Sequence, residues 1–446
     1  MLAPLYTAAE MRAAEERYPG YPETVPELME RAGAAVAREL AAAYPEARRV
    51  AVACGGGSNG GDGRVAARLL REQGLQAEET DDVEGADVVV DALFGTGFHG
   101  EPRPEAAERI ERINAVGAPV VSVDVPSGVD ASTGEIAGAA VQASLTVTFG
   151  GPKVGLHVAP GVFRAGRVVV ADIGLDETPT EHRLVTRDVL GLVPLRGPQD
   201  TKYTAGSVLV VGGAPGLTGA ACLAVEAAFR ADAGYVAVSV PETSLPVVEA
   251  RLLEAVKTTW AGIDDVLPKA RAVALGPGLG RTDEASALVA RLLGEVEVPV
   301  VLDADALFGL EPGNWRPPVV LTPHAGELGR LLGAESAWVD AHRLEAATAA
   351  AERFGCVCLL KGADTLVAAP GEGALVLPLA PHALATAGTG DVLTGIVAAF
   401  LAKGLTPRLA AAAAATAHAV AASLAPHRAG LVAGDVVAAL PLALGG

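Results

Sequence analysis

Residues Thr386–Gly395 read T-A-G-T-G-D-V-L-T-G, a run of small residues ending in an acid just ahead of an apolar stretch. Glycines let a backbone approach an anion closely. A helix starting beside them offers unpaired N–H groups and the positive end of its dipole. With the helix expected from Val392, Asp391 stands where a general base reaches a hydroxyl beside a phosphoryl group in transfer. The plainer account of G-T-G-D is a glycine turn with an aspartate N-cap. Taken alone the stretch would favour that account, but other glycine-rich strand ends accompany it.

In the first half, Cys54–Gly63 reads C-G-G-G-S-N-G-G-D-G between an apolar strand and a helix. Such a glycine nest suits phosphate or a polar dinucleotide, although it is neither G-x-G-x-x-G nor a lysine-bearing Walker loop. Asn59 and Asp62 add oxygen ligands within it. Asp91 ends the next strand, before Gly95-Thr96-Gly97-Phe98-His99-Gly100-Glu101. Asp124 ends the third, in V-D-V-P-S-G, with Ser127 close behind. Asn59, Asp91, Asp124 and Ser127 are therefore expected at one sheet edge, where an oxygen-only set suits K⁺, Na⁺ or Mg²⁺. Each aspartate alone would read as a turn or cap residue.

The second half repeats the pattern. Lys202 precedes a strand and then Gly212–Ala220, G-G-A-P-G-L-T-G-A. Gly276–Gly280 (G-P-G-L-G), Asp303–Leu307 (D-A-D-A-L) and Thr322–Glu327 (T-P-H-A-G-E) follow three further strands, and Lys361–Thr365 (K-G-A-D-T) turns between two more. Singly, Lys361 is equally well a surface lysine, His324 a helix cap, and Asp303 and Asp305 turn residues. Six such loops on strand ends are hard to assign to structure alone.

The elements that position these loops alternate. Apolar strands are expected at 49–54, 86–93, 119–125, 145–149 and 167–173, then at 207–211, 235–240, 272–275, 299–302, 319–321, 356–361 and 365–368. Helices separate most of them, as in a mostly parallel sheet buried on both faces. Ligands of such sheets gather beyond the carboxyl ends of the strands. A chain of 446 residues is long for one core, and the charged, proline-containing stretch at 176–204 is the natural boundary, with a short helix expected at 185–193. The fold class is α/β in two domains. Half of the residues are hydrophobic and only 4% aromatic, which fits closely packed alanine-, valine- and glycine-rich layers. The net charge of −19 argues against nucleic acid and anionic membrane, while leaving room for phosphate held by local amides or a lysine. The four cysteines have no zinc spacing, no signal peptide is evident, and the alanine-rich stretch 409–425 carries polar residues suited to a buried helix. A reducing, cytoplasmic setting is expected.

These motifs carry a family resemblance. With L-M-E-R-A-G at 28–33, V-V-V-D-A-L-F-G-T-G at 88–97, S-V-D-V-P-S-G at 122–128 and L-T-V-T-F-G-G-P-K at 145–153, residues 1–195 resemble an NAD(P)H-hydrate epimerase domain of Rossmann-like, three-layer form. Such domains interconvert the R and S forms of hydrated NADH and NADPH, NADHX and NADPHX. The resemblance implies K⁺ on Asn59, Asp91 and Ser127. It implies substrate contacts from Ser58, Asn59, Gly60, Gly61 and Asp62, from Gly95, Thr96, Gly97, Phe98, His99, Gly100 and Glu101, and from Asp124, which is the expected acid/base. Residues 197–446 resemble the ribokinase-like, ADP-dependent NAD(P)H-hydrate dehydratase domain. There the resemblance places Ala220, Gly278, His324 and Asp391 on the hydrated substrate, and Lys361, Gly362, Ala363, Asp364, Thr365 and Gly390 on the adenine nucleotide, with Mg²⁺ assisting. It also implies a homo-oligomer, a tetramer or larger.

Phosphorylation by ADP would turn the hydrate's hydroxyl into a good leaving group, with Asp391 taking its proton. The chain departs from the family pattern at Ser58, where asparagine is usual, and in a short segment between Arg64 and Asp91. It departs again at Thr201, at Pro381-His382-Ala383-Leu384 and at Ala387, where glycine is usual. Alanine at 387 is costly if its φ is positive. Two other readings remain open: a small-molecule kinase with a regulatory first half, and a first half that is a binding module without chemistry.

Overall fold

The computed structural model describes residues 1–427 and 429–445. In chain order the strands are β1 Leu2–Pro4, β2 Arg49–Cys54, β3 Gln76–Glu79, β4 Val88–Ala92, β5 Val120–Val123, β6 Leu145–Phe149, β7 Arg167–Ala171, β8 Arg183–Val185 and β9 Ser207–Val211. They continue as β10 Tyr235–Val240, β11 Val256–Thr259, β12 Ala272–Leu275, β13 Val300–Leu302, β14 Val319–Leu321, β15 Val357–Leu360, β16 Leu366–Ala369 and β17 Glu372–Val376. The chain forms two compact units. One comprises Pro4–Arg183 with 340–342; the other comprises Met1–Ala3, Leu184–Val339 and Arg343 onward. Residues 184–195, grouped by sequence with the first half, thus belong to the second unit. Val185 closes β8, and the rest of the expected helix there is a 3₁₀ turn at Arg187–Leu192.

The first unit is a three-layer domain on a six-stranded sheet of order β3-β2-β4-β5-β6-β7, parallel throughout. Strand alternation divides its core in two. Val50, Val52, Val88 and Val90 pack under the helices Val25–Ala43 and Ser58–Glu72. Ala51, Ala53 and Val89 face the other way, against Ile110 and Ile113 of the helix Pro104–Ala115. The short segment between Arg64 and Asp91 keeps its strand, β3, but connects to β4 by residues 80–87 with no helix. That strand was not expected, because Q-A-E-E buries only Ala77 and shows no apolar run.

The second unit is built on an eleven-stranded sheet, order β1-β8-β17-β16-β15-β14-β13-β12-β9-β10-β11. Strands β9 to β15 run parallel, and β16 and β17 return antiparallel. The helices Thr218–Arg230, Thr389–Ala402, Pro407–Leu424 and Ala433–Leu444 cover one face, through an alanine-rich core around Phe400. Alanine makes this close approach cheap: Gly395 lies so near Ala224 that a Cβ there would sit 2.2 Å from its carbonyl oxygen. The stretch 409–425 forms most of one buried helix, and among the described residues no helix is long and apolar enough to cross a membrane.

Candidate active sites

Both sheets reverse their strand order at one point, and a crevice opens there. In the first unit β2 has β3 on one side and β4 on the other, so the loops after β2 and β4 part from each other. The helix Ser58–Glu72 starts in that crevice behind Gly57, presenting the free amides of its first turn. A cleft of about 590 Å³ forms there. Ser58, Asn59, Asp62, Gly95, Thr96, Gly97, Phe98, His99 and Asp124 all line it. Gly60 and Gly61 are used differently: a Cβ on Gly60 would lie 2.0 Å from the Gly55 carbonyl oxygen, and one on Gly61 would strike Met29. Their absent side chains let the helix start pack. Gly100 and Glu101 are exposed at the far end of their loop, outside the cleft lining.

Asp124 sits just past β5 with φ of 65°, a left-handed conformation that favours glycine and is tolerated best by Asp and Asn. Its Oδ1 accepts from Lys153 Nζ at 2.6 Å, Thr148 Oγ1 at 3.0 Å and the Phe149 amide at 3.3 Å. Lys153 is 1% exposed, and its other donors go to Thr148 Oγ1 and the Phe149 carbonyl. Sequence reasoning missed this lysine, although it ends the quoted L-T-V-T-F-G-G-P-K run. A lysine one turn beyond a buried strand was the available signal. Arg12, Glu15 and Tyr21 also reach the cleft and were missed. Arg12 and Glu15 ride on the helix Ala8–Glu16, fixed by a reciprocal cap between Thr7 and Glu10. Burial, with the nearby charges of Asp124 and Glu15, pushes the Asp62 carboxyl up to about 8.

Asp91 and Ser127 lie beneath the cleft floor. Asp91 is wholly buried and accepts from Ser122 Oγ (2.8 Å), Ser127 Oγ (2.6 Å), and the amides of Ser127 (2.9 Å) and Leu93 (3.3 Å). Asn59 Nδ2 donates to the Phe94 carbonyl at 2.9 Å, and the Phe94 amide donates to Ser127 Oγ. The four named partners of Asp91 are all neutral, and burial raises its pKa despite them. A buried carboxylate among hydroxyls, amides and a carbonyl, without a cationic partner among these contacts, is an environment that a hard monovalent cation would compensate.

In the second unit the reversal lies between β9 and β12. The loops that follow them touch: a Cβ on Gly278, whose φ is 59°, would meet the Leu217 carbonyl at 2.4 Å and the Ala220 side chain at 3.2 Å. Ala220 and Gly278 are thus brought together. The helix expected from Val392 begins at Thr389, with Gly388 at φ 90° as its N-cap. Asp391 is therefore the third helical residue and not the cap. Ala387 is not among the positive-φ residues, so its methyl brings no backbone strain.

Lys361 organises the chemistry beside that helix start. Its Nζ donates to Asp303 Oδ1 at 2.7 Å, lies 3.9 Å from Glu327, and would be 3.4 Å from a Cβ on Gly390. Asp303 Oδ2 accepts from Thr394 Oγ1, also at 2.7 Å. Neither Lys361 nor Asp303 is the surface or turn residue that its local sequence allowed. Burial lowers the lysine's pKa, but Asp303, Glu327 and Asp391 outweigh it and raise the value. Burial first, then Asp303, pushes Asp391 up to about 7, with Lys361 opposing. His324 is indeed the helix cap. Its Nδ1 accepts from the Gly326 and Glu327 amides, which leaves the ring proton of the neutral form on Nε2.

A neighbouring cavity of about 680 Å³ is lined by His324, Lys361, Gly362, Ala363, Thr365 and Gly390, with Leu384, Ala415 and His418 among its walls. Burial drives His418 down to about 4, so this wall is neutral. Asp364 is the exception among the expected nucleotide contacts. It is buried on Arg343, Nε to Oδ1 2.7 Å, and Arg343 also donates to the carbonyls of Lys361 and Asp364. That pair shapes the turn from below. Among the described residues no group of three or more His, Cys, Asp or Glu side chains is disposed to hold a metal.

Comparison with known proteins follows these two units. A family profile for NAD(P)H-hydrate dehydratase matches residues 208–441, and one for the YjeF-related protein N-terminus matches 25–79 and 75–155. The bifunctional NAD(P)H-hydrate repair enzyme of Moorella thermoacetica is 38% identical, with 99% of this chain and 96% of that protein covered. Its namesake from Escherichia coli is 35% identical over 91% and 86%. Among solved structures, the ADP/ATP-dependent NAD(P)H-hydrate dehydratase of Bacillus subtilis, co-crystallised with ATP and Mg²⁺, matches 58% of this chain and 96% of its own. The match has 31% identity and a TM-score of 0.53. A ribokinase-like superfamily protein of Enterococcus faecalis, 24% identical, shares the fold over 60% of this chain and 98% of its own with a TM-score of 0.54. With a ribokinase-like unit joined to a YjeF-type one, and relatives of this identity along nearly its whole length, the chain belongs to the family of bifunctional NAD(P)H-hydrate repair enzymes.

Proposed function

We propose that this chain restores hydrated nicotinamide cofactors, its first unit interconverting the R and S hydrates and its second dehydrating the S form at the expense of ADP. The observation that carries this is a pair of acid–base centres at strand ends, Asp124 ion-paired with Lys153 past β5 and β6, and Asp391 under the charges of Asp303 and Lys361 past β13 and β15.

In the second unit Asp391 takes the proton of the hydrate's hydroxyl as that oxygen attacks the terminal phosphorus of ADP. The helix start at Gly390, beside the cavity, would offer its amide to the phosphoryl oxygens, and Lys361 would add positive charge beside it. AMP leaves; phosphate then departs from the ring carbon with the C–O electron pair, and the adjacent ring carbon gives up a proton to solvent, which restores the ring double bond and gives NADH or NADPH. Mg²⁺ would enter as part of the nucleotide co-substrate, since among the described residues no cluster of carboxylates is disposed to hold it and Asp303 is engaged with Lys361 and Thr394. When bound it would neutralise phosphate charge. His324 lines the neighbouring cavity with its Nε2 3.4 Å from Glu327 Oε1, and Ala220 and Gly278 shape the floor.

In the first unit Asp124 is the acid/base, and Ser58, Asn59 and Asp62 with Gly95–His99 hold the substrate. Asn59, Asp91 and Ser127, with the Phe94 carbonyl, would hold K⁺, which would offset the buried charge of Asp91. Four buried, free cysteines accord with a reducing, cytoplasmic setting.

The test is recovery of near-ultraviolet absorbance from purified S-NADHX with Mg²⁺ and ADP, then from an R/S mixture with and without K⁺. ADP-dependent recovery lost in Asp391→Ala supports the dehydratase, and complete recovery from the mixture, faster than spontaneous epimerisation, supports the epimerase. No recovery with ADP or ATP refutes the dehydratase.

A further inference from the structure

The cleft of the first unit is acidic on three sides, although the dinucleotide it is proposed to take is itself an anion. Asp62 faces it from the helix Ser58–Glu72, Asp124 from the end of β5, and Glu15 from the helix Ala8–Glu16. The other titratable groups around it are Arg12, Tyr21 and His99, with Lys153 beneath and spent on Asp124, Thr148 and Phe149. Carboxylates gathered where an anion binds are unfavourable for the ground state. They become favourable if the reacting centre turns cationic.

We infer that Asp62 is a second catalytic carboxyl, acting as general acid across the cleft from Asp124; this rests on reading the site as a hydrate epimerase. The hydrate carbon bears a hydroxyl beside the ring nitrogen. Asp62 gives its proton to that hydroxyl, the C–O bond breaks with its electron pair leaving on water, and the nitrogen lone pair forms a C=N bond. The resulting cation lies among Asp124, Glu15 and the newly ionised Asp62. A water then adds to the opposite face, giving its proton to Asp124 as the electron pair returns to nitrogen. The opposite epimer reverses the roles, and proton exchange with solvent resets the pair. No oxidant or further reactant is required. Asp62 suits the first step because burial and its acidic neighbours hold its carboxyl up to about 8, so it carries a proton at neutral pH. Asp124 suits the second, because Lys153, Thr148 and the Phe149 amide hold its Oδ1 and so orient the carboxylate, and Oδ2 takes the proton.

The experiment follows inversion of purified NADHX epimers by the full chain in ¹⁸O-labelled water from pH 5.5 to 9, by chromatography and mass spectrometry. The wild type is expected to take up one solvent oxygen per inversion and to lose rate with an alkaline limb near pH 8. Asp62→Asn should lower kcat by about 10²–10³-fold with little change in KM and without that limb. Asp62→Glu should restore part of the rate with the limb displaced, which a purely structural role would not give. Wild-type kcat and an unchanged limb in Asp62→Asn overturn the inference, as does inversion without label. A wild-type chain that does not accelerate inversion at all overturns the epimerase reading itself, and this inference with it.

Discussion

Replacing Asp303 by asparagine should move the pH at which the dehydratase gains its activity. Asp391 must be ionised to take a proton, and with its carboxyl up at about 7 the rate should climb as pH rises through neutrality. Asp303 is the largest charge among the causes of that elevation. It lies 2.7 Å from Lys361 Nζ, the cation that opposes the elevation, and its reach to Asp391 is taken as on the order of 6–8 Å, the spacing of two carboxylates about one ammonium. At an effective dielectric of ~20 a charge at that range is worth ~2–3 kcal/mol, or ~1.5–2 pH units. Lys361 between them offsets part, leaving a downward shift of ~1 unit or more when Asp303 is neutral. Asparagine can keep the local bonds: its oxygen accepts from Lys361, and its amide donates to Thr394 Oγ1, which still donates to the Gly390 carbonyl. The assay is dehydratase rate against pH at saturating Mg²⁺, ADP and S-NADHX. The rate at pH 6 should rise from ~0.1 to ~0.5 of its own plateau, while the plateau falls because Asp391 becomes a weaker base. A midpoint that stays put or moves up refutes the electrostatic coupling.

Further expectations follow from the same geometry. Lys153→Met leaves Asp124 without its ammonium partner in a buried site, and should cost about 3–5 kcal/mol of first-unit stability, read by denaturant unfolding, with loss of epimerisation. Arg343→Met strands Asp364 and releases the turn at Lys361–Thr365, so the KM for ADP should rise before kcat changes. Ala387→Gly should leave dehydratase kcat within about 3-fold, since no left-handed φ is relieved there. Asp62 titrates higher folded than unfolded, so the native state binds more protons from about pH 4 to about 8, and first-unit stability should fall as pH rises through that window. Asp62→Asn should flatten the fall and gain ~1–3 kcal/mol at its upper end, measured by unfolding across pH.

The alternation of apolar strands and glycine loops was enough to place both parallel sheets, because strands buried on both faces must be continuously apolar. It could not give β3, a short edge strand of Q-A-E-E whose pairing to β2 comes from its neighbours. Residues on strand-end loops were legible as site candidates, since the loops that carry them follow buried strands. What was not legible is which of them turn inward. Gly60, Gly61 and Asp364 sit inside the matching motifs yet serve packing, while Arg12 and Glu15 reach the first cleft from a segment far away in sequence and Lys153 reaches Asp124 from beneath it. Asp303 read as a turn residue because its partners, Lys361 and Thr394, are 58 and 91 residues distant.

The left-handed backbone at Asp124 bears on how any knock-out there is to be interpreted. Alanine at that position removes the carboxylate and also places a Cβ-bearing residue in a conformation it resists by about 1–2 kcal/mol. A lost activity would then mix chemistry with a displaced chain end above β5. Glycine errs the other way, relaxing the turn and loosening Pro126 and Ser127 behind it. Asparagine keeps the shape, the hydrogen-bond acceptor and the tolerance of positive φ while deleting only the charge. It is the substitution whose silence or effect speaks about the carboxylate alone.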